Sequence, residues 1–229
     1  MQTATLALII PAYNEAEVIG STLDGLPAGM FAQVIVAVNG ATDDTAAVAR
    51  AHGAIAIETS ERGYGAACLS ALPHLTADIA VFLQADGSED AAETPRLVVP
   101  IIAGQADLVL GSRTLGHALP GALLPHQRFG NWIATTAIRL LYGHSYSDLG
   151  PFRAIRTSRL QHLGMRDRNF GWTVEMQVRA LQQGLRVMEV PVSYGMRQAG
   201  EPKVAGRWDA SLRAGWVILS TIARLWPAR

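Results

Sequence analysis

The sequence has one cysteine, Cys68, no surplus charge of either sign and no long apolar run, and each shortage narrows what the chain does. A single thiol makes no internal disulfide, and no Cys/His cluster has zinc-ligand spacing, so a reducing, cytoplasmic setting is expected. Lys and Arg total 19, as do Asp and Glu. No global field therefore recruits nucleic acid, and any bound anion is held by local groups. The first apolar stretch, Leu6 to Ile10, is too short for a signal peptide and lacks its basic flank, and no run approaches the roughly 20 apolar residues that cross a bilayer. A soluble chain is expected, or one resting on the inner face of a membrane. Its 229 residues suffice for a single large domain with a full core.

What is present is a rhythm of short, β-rich apolar runs: Leu6–Ile10, Val34–Val38, Ile79–Leu83 and Leu108–Leu110. Continuous runs of this kind suit strands covered on both faces, as in a parallel sheet. Helical patterns separate them, at Glu15 to Leu26, Asp43 to His52, Ala66 to Leu75 and Ala92 to Ala103. Strand and helix in alternation imply right-handed crossovers and a doubly wound, Rossmann-like α/β layer. Asn14 before the first helix and Thr42-Asp43-Asp44-Thr45 before the second supply capping oxygens. Residues from Thr114 to Gln127 read as a long loop of the kind that often forms a lid. Beyond it come a helix from Arg128 to Tyr142, a short strand from Phe152 to Arg156, a helix from Thr173 to Gln183 and a strand from Arg186 to Val192.

Ligands of open α/β sheets bind beyond the carboxyl ends of the strands. Here those ends read Pro11-Ala12-Tyr13-Asn14-Glu15, Asn39-Gly40-Ala41-Thr42-Asp43, Gln84-Ala85-Asp86-Gly87 and Gly111-Ser112-Arg113. Any one of them alone is an ordinary turn; four on one rim point to a polar ligand. Asp86 is the sharpest residue. A carboxylate at a strand end is suited to Mg²⁺ or Mn²⁺, hard ions that bridge protein oxygens to those of a diphosphate. The alternative, a helix cap, is served equally well by Ser88 or Asp90.

In order along the chain, PAYNE, VNGATDDT, ERGYGAA, QADG, GSR, DLGPFRAIR, EVPVSY and R-x₃-E-P-K resemble the inverting family 2 glycosyltransferases of the GT-A fold, especially the polyprenyl-phosphate mannosyl- and glucosyltransferases. The resemblance implies a single GT-A domain over residues 1–206 with a mostly parallel central sheet flanked by helices. It also implies a UDP- or GDP-hexose donor, a divalent metal and a polyprenyl phosphate acceptor. Carried over by position, Pro11, Tyr13, Asn14, Glu15 and Asn39 line the nucleoside pocket, and Gly63 and Gly65 let backbone approach the nucleotide. Gln84, Ala85 and Asp86 face the diphosphate, with Asp86 the metal ligand. Arg113, Arg128 and Asn131 contact the acceptor phosphate, and Arg197 and Lys203 close over the donor. Three positions depart from the pattern. Gln84 replaces the first acid of Asp-x-Asp, which weakens the metal site. Val38-Asn39 replaces an acidic pair that reads the base, and Tyr64 stands where lysine is common.

An ionised phosphate acceptor needs no base, and Arg113 and Arg128 would position it. A hydroxyl acceptor needs a carboxylate to take its proton, and the candidates are Asp148 and Glu175. His117, His126 and His144 read as solvent-facing. The tail, residues 207–229, carries Leu212, Trp216, Leu219, Ile222, Ala223 and Trp226 at helical spacing. Such a helix packs on its own domain or a dimer mate, or lies in a lipid interface. Two other functions compete. Gly63-x-Gly65-x-x-Cys68 with Asp86 loosely imitates a dinucleotide-binding fingerprint, though it follows the third strand and lacks the third glycine. Gln84 also fits a nucleotide-sugar sensor without catalysis. Within the transferases, a soluble phosphorylated or hydroxyl acceptor is the alternative to the lipid.

Overall fold

A computed structural model of the chain describes residues 4–197 and 208–226, with the side chains of 208–214 left out. The apolar runs form strands β1 (Leu6–Ala12), β2 (Gln33–Asn39), β3 (Ile55–Thr59), β4 (Ile79–Phe82), β5 (Leu108–Ala118), β6 (Arg153–Arg156) and β7 (Val187–Tyr194). They make one seven-stranded sheet in the order β3-β2-β1-β4-β6-β5-β7. Only β6 runs against its neighbours, so the sheet is mostly parallel.

Period-two alternation sends the side chains of each central strand into two separate cores. On one face Leu8, Ile10, Val36 and Val38 meet Ile19 and Leu23 of α1 (Ala16–Asp24), Ala46 and Ala49 of α2 (Thr45–Ala51) and Leu97 and Ile101 of α4 (Thr94–Ile102). On the other, Ala7, Ile9, Ile35 and Ala37 meet Ala67 and Cys68 of α3 (Tyr64–Ala71), Ile138 of α5 (Pro125–Tyr142), Leu160 of α6 (Thr157–Leu163) and Val174 and Val178 of α7 (Trp172–Gln182). Burial on both faces is what makes these strands read as unbroken apolar runs.

The final helix, α8 (Trp208–Leu225), rests on this second layer. Ile222 is buried, Tyr142 Oη donates to its carbonyl at 2.8 Å, and the Tyr142 and Trp226 rings meet edge to face at 5.2 Å. Among the described residues no helix is long and apolar enough to cross a membrane.

Three expectations need correction. The loop expected from Thr114 to Gln127 shrinks to 119–124, because β5 continues to Ala118 and α5 begins at Pro125. The extension pairs with β7 at His117–Ser193 and Ala118–Tyr194 across a wide bulge. Gly116 belongs to it because a Cβ there would lie 2.0 Å from the Val192 carbonyl oxygen. Capping is partly exchanged between the loops: Asp43 Oδ1 accepts from Thr45 N at 3.2 Å at the start of its own helix, but the first helix is not capped by its own loop. Thr45 Oγ1 accepts from Glu15 N at 2.9 Å and Asp43 Oδ2 from Ala16 N at 3.1 Å, so the second loop caps the first helix. Finally, β3 and α6 have no counterpart among the expected elements.

Candidate active site

The carboxyl ends of β1, β2, β4 and β5 converge on one rim. After β1, Asn14 takes a left-handed backbone (φ 50°), a conformation that Asn tolerates better than most residues. Its side chain is locked to the second loop, accepting from Thr42 N at 2.8 Å and donating to Thr42 Oγ1 at 3.1 Å. Tyr13 presents its ring to the Arg62 guanidinium, 5.6 Å from the centroid. Pro11 sits in β1 beside Ala37, and Asn39 closes β2. Asn39 and Glu15 are both buried.

Gln84, Ala85 and Asp86 follow β4. Ala85 is pinned by its carbonyl, which accepts from Thr22 Oγ1 at 2.8 Å. Asp86 Oδ1 accepts from Ser88 N at 3.1 Å and Ser88 Oγ at 2.6 Å, which fixes its rotamer. Asp90, not Asp86, caps the next helical turn by accepting from Ala92 N. The Gln84 side-chain oxygen, Oε1, accepts from the same Ser88 hydroxyl at 3.3 Å. Arg197, just past β7, reaches back and donates to both Glu15 oxygens at 2.5 and 2.6 Å and to Asp86 Oδ2 at 3.3 Å. A cationic group thus already sits against the one oxygen of Asp86 that points away from Ser88.

This arrangement bears on a metal. No group of three or more His, Cys, Asp or Glu converges on a common point among the described residues. The donor set fits an ion held by one carboxylate and completed by the oxygens of a bound diphosphate. Beside Asp86, Glu89 is buried with Oε2 accepting from Gln84 N at 2.8 Å and Oε1 without a hydrogen bond among the described residues. Burial, and secondarily the Asp86 charge, pushes its carboxyl up to about 8.

At Gly63 and Gly65 the close approach that the structure describes is one within the chain. A Cβ on Gly63 would lie 2.1 Å from the Arg168 carbonyl oxygen and one on Gly65 2.0 Å from that of Asp167. Gly65 N donates to Asn169 O and Ala66 N to Arg168 O. It is the chain's own 167–169 backbone that comes close. Glu175 holds that segment from below: Oε2 accepts from Arg166 N and Asp167 N at 3.0 and 2.6 Å, and Oε1 pairs with Arg179 at 2.8 Å. Both oxygens of this buried acid are committed, and it lines neither cavity described below.

A cavity of about 490 Å³ opens between the β5 bulge and α5, lined by Arg113, Arg128, Asn131, Trp132 and Asp148 among others. A neighbouring cavity of about 420 Å³ lies between α1, the Gly87–Ala91 loop and the β5–β7 extension. In the first, Asp148 grips Arg113 by Nε and Nη2 at 2.8 and 2.9 Å and accepts from its backbone N at 2.9 Å. The guanidinium also lies 5.1 Å from the Tyr194 ring centroid. Asn131, expected to meet a phosphate, lines the cavity and also braces the loop, donating to Ser147 O at 3.3 Å and accepting from Leu149 N at 2.9 Å. Arg128 is exposed, and its side chain makes no hydrogen bond or ion pair among the described residues, while its backbone N–H donates to Leu124 O at 3.1 Å.

The 147–150 loop is the best-braced segment of the site. Glu189 of β7 accepts from Ser147 N at 2.9 Å, Ser147 Oγ at 2.7 Å and Asp148 N at 3.2 Å. Ser112 Oγ meets Ser147 Oγ at 2.7 Å, Gln177 Nε2 donates to Asp148 O at 3.2 Å, and the buried Arg153 donates to Gly150 O. Sequence reasoning missed Arg62, Glu89, Ser147 and the role of Glu189. The only available signal was Glu189 itself, an acid inside an apolar strand. Of the histidines, His117 is exposed as expected, whereas His144 is half-buried with its ring 4.5 Å from that of Tyr146, and His126 is half-buried. Lys203 lies outside the described residues.

Comparisons with known proteins bear directly on this geometry. The family model described as glycosyl transferase family 2 matches residues 7–164. An uncharacterised glycosyltransferase of Mycobacterium tuberculosis is 36% identical over 219 residues, covering 94% of this chain and 98% of that protein. A dolichyl-phosphate hexose transferase of Haloferax volcanii is 30% identical over 87% of this chain and 86% of its own length. Among solved structures, glucosyl-3-phosphoglycerate synthase from M. tuberculosis, crystallised with Mn²⁺, UDP and glucosyl-3-phosphoglycerate, superposes with a TM-score of 0.79 at 21% identity, covering 98% of this chain and 81% of that one. That likeness concerns the fold. The family model reaches from β1 through α6 and so takes in all four loops of the rim, and together with a 36% identical relative of nearly the same length it establishes that this chain is a GT-A-fold enzyme of glycosyltransferase family 2.

Proposed function

We propose that this glycosyltransferase moves a hexose from a nucleoside diphosphate sugar to the phosphate of a polyprenyl acceptor, with inversion. The observation that carries the reading is the state of the two carboxylates that would serve a hydroxyl acceptor. Asp148 is committed to Arg113, and Glu175 to the 166–167 backbone and Arg179. A phosphate acceptor needs neither, because it arrives ionised. The cavity beside Asp148 supplies what a phosphate does need, Arg128 and the outer face of the Arg113 guanidinium. The name of the 30% identical dolichyl-phosphate hexose transferase supports the same acceptor class.

On the donor side, Asp86 would hold Mg²⁺ or Mn²⁺ together with the diphosphate oxygens. The ion would supply Lewis-acid stabilisation of the leaving nucleoside diphosphate. Arg197, released from Glu15 and Asp86, would add its charge to the same leaving group. Attack by an acceptor phosphate oxygen on the face of the anomeric carbon opposite the leaving group inverts that centre. With Asn39 where a base-reading acid is usual, UDP- and GDP-hexoses are both candidate donors. A lipid acceptor places the working enzyme at a membrane surface.

The test is transfer from labelled UDP- and GDP-hexoses, with Mn²⁺, to polyprenyl phosphate and to small phosphorylated acids in parallel. Label is expected in the organic phase. Label only in a water-soluble phosphorylated product would assign the soluble acceptor instead, and label released only as free sugar would refute transfer altogether.

A further inference from the structure

Helix α5 shows an asymmetry that domain packing does not explain. Its inner face carries Ala134, Thr135 and Ile138, which are buried. Its outer face carries Phe129, Trp132 and Leu140, exposed by 60%, 61% and 78%. The spacing of three and then eight residues, bridged by the half-buried Ile133, puts them along one side of the helix. The Phe129 and Trp132 rings stack at 5.9 Å with an interplanar angle of 25°. Thr136 stands between Trp132 and Leu140 on that side; scattered exposed apolar residues are ordinary, whereas a stacked aromatic pair with an exposed leucine on the same helix face marks a contact surface.

The charge on the helix indicates what covers that stripe. Residues 125–142 include Arg128 and Arg139 and no Asp or Glu. A basic helix with an aromatic and aliphatic outer face matches an anionic lipid surface, where apolar side chains enter the acyl boundary and arginines meet headgroup phosphates. The stripe is continuous with the site, because Arg128 and Trp132 also line the 490 Å³ cavity. Leu115 and Leu119, exposed by 55% and 47%, lie on or just beyond the β5 extension that forms the opposite wall.

We propose that the outer face of α5 docks on an anionic bilayer, so that the cavity mouth opens at headgroup depth. The proposal deepens the lipid-phosphate reading and rests on it for its purpose. It assigns docking to α5 and not to the amphipathic α8, although α8 also exposes Trp216.

The experiment is co-sedimentation of the full chain with phosphatidylcholine vesicles, with and without about one-third phosphatidylglycerol. Binding is expected on the anionic vesicles and is expected to weaken with salt. Phe129→Ser/Leu140→Ser should lower the partition coefficient at least about tenfold, while Trp216→Ser leaves it unchanged. Neither Phe129 nor Leu140 lines either of the two cavities described above, so the double variant should retain transfer to a short-chain polyprenyl phosphate in solution. A wild-type chain that stays in the supernatant overturns the proposal. So does a loss of binding in Trp216→Ser that the double variant does not share, or light scattering that shows a dimer converted to monomer by the double variant. Vesicle binding without transfer to any lipid phosphate would remove the acceptor reading and leave the docking face standing. Transfer to the short-chain acceptor without vesicle binding would do the reverse.

Discussion

Replacing Glu89 with glutamine should make the protein more stable, and increasingly so as the pH rises. Glu89 is 7% exposed, and among the described residues the one hydrogen bond of its carboxyl is the 2.8 Å acceptance from Gln84 N. Burial, ahead of the Asp86 charge, raises its carboxyl from 4.5 to about 8. In the unfolded chain the group ionises near the lower value, while in the native state it keeps its proton up to the higher one. Between those limits the native state binds the extra proton, so stability is lost as the pH rises. At about 1.4 kcal/mol per pH unit, the interval from 4.5 to about 8 amounts to a loss on the order of 4–5 kcal/mol. Glutamine has the shape of the neutral acid, still accepts from Gln84 N and never ionises. The two proteins should therefore be close in stability at pH 5, with the variant ahead by roughly 3–4 kcal/mol at pH 8, or about 10 °C in Tm. Urea unfolding of both proteins at pH 5, 6.5 and 8 measures the difference directly. Parallel curves, or a variant less stable at pH 8, would refute the assignment of Glu89 as a buried neutral acid.

Other outcomes follow from the same geometry. Asp86→Ala should abolish the Mn²⁺-dependent part of the thermal shift given by a nucleotide-sugar, which at a hundredfold excess over Kd is worth about 2.7 kcal/mol; an undiminished shift would place the ion elsewhere. Glu189→Ala removes the acceptor for Ser147 N, Ser147 Oγ and Asp148 N. It should raise the KM for the acceptor more than it lowers kcat and cost on the order of 2–4 kcal/mol of stability, with partial rescue by Glu189→Gln. Gly65→Ala sets a Cβ 2.0 Å from the Asp167 carbonyl and should destabilise by about 3 kcal/mol or more; a wild-type melting curve would show that the 167–169 segment is free to move.

The fold was legible where burial is two-sided. Ile79 to Phe82 is buried at every position, so β4 leaves an unbroken apolar signature and β1 and β2 nearly do. The edge strand β3 was not legible, because Ile55 and Glu58 face solvent and a half-exposed run of five resembles a turn. The expected lid at Thr114 to Gln127 failed for a related reason. Gly116 and His117 belong to a bulged strand whose partner lies about 75 residues later, His126 belongs to α5, and no local pattern carries the strand pairing. The rim was legible as loops after strands, and Asp86 as its sharpest acid. What each acid does there was not: Asp148, Glu175 and Asn131 are types that serve catalysis or bracing equally well, and only their partners decide between the two.

Ser147 to Gly150 is tied to β5, β6, β7, α5 and α7 at once. Four residues thus act as a keystone for elements that span two-fifths of the chain. Because Glu189 and Arg197 arrive last in sequence, a nascent polypeptide that has already built β1 to β6 has most of its sheet, yet lacks the last brace of the acceptor loop and the cation of the donor rim. That last brace is gained only when β7 pairs with β5, and any local unfolding of the strand takes it away.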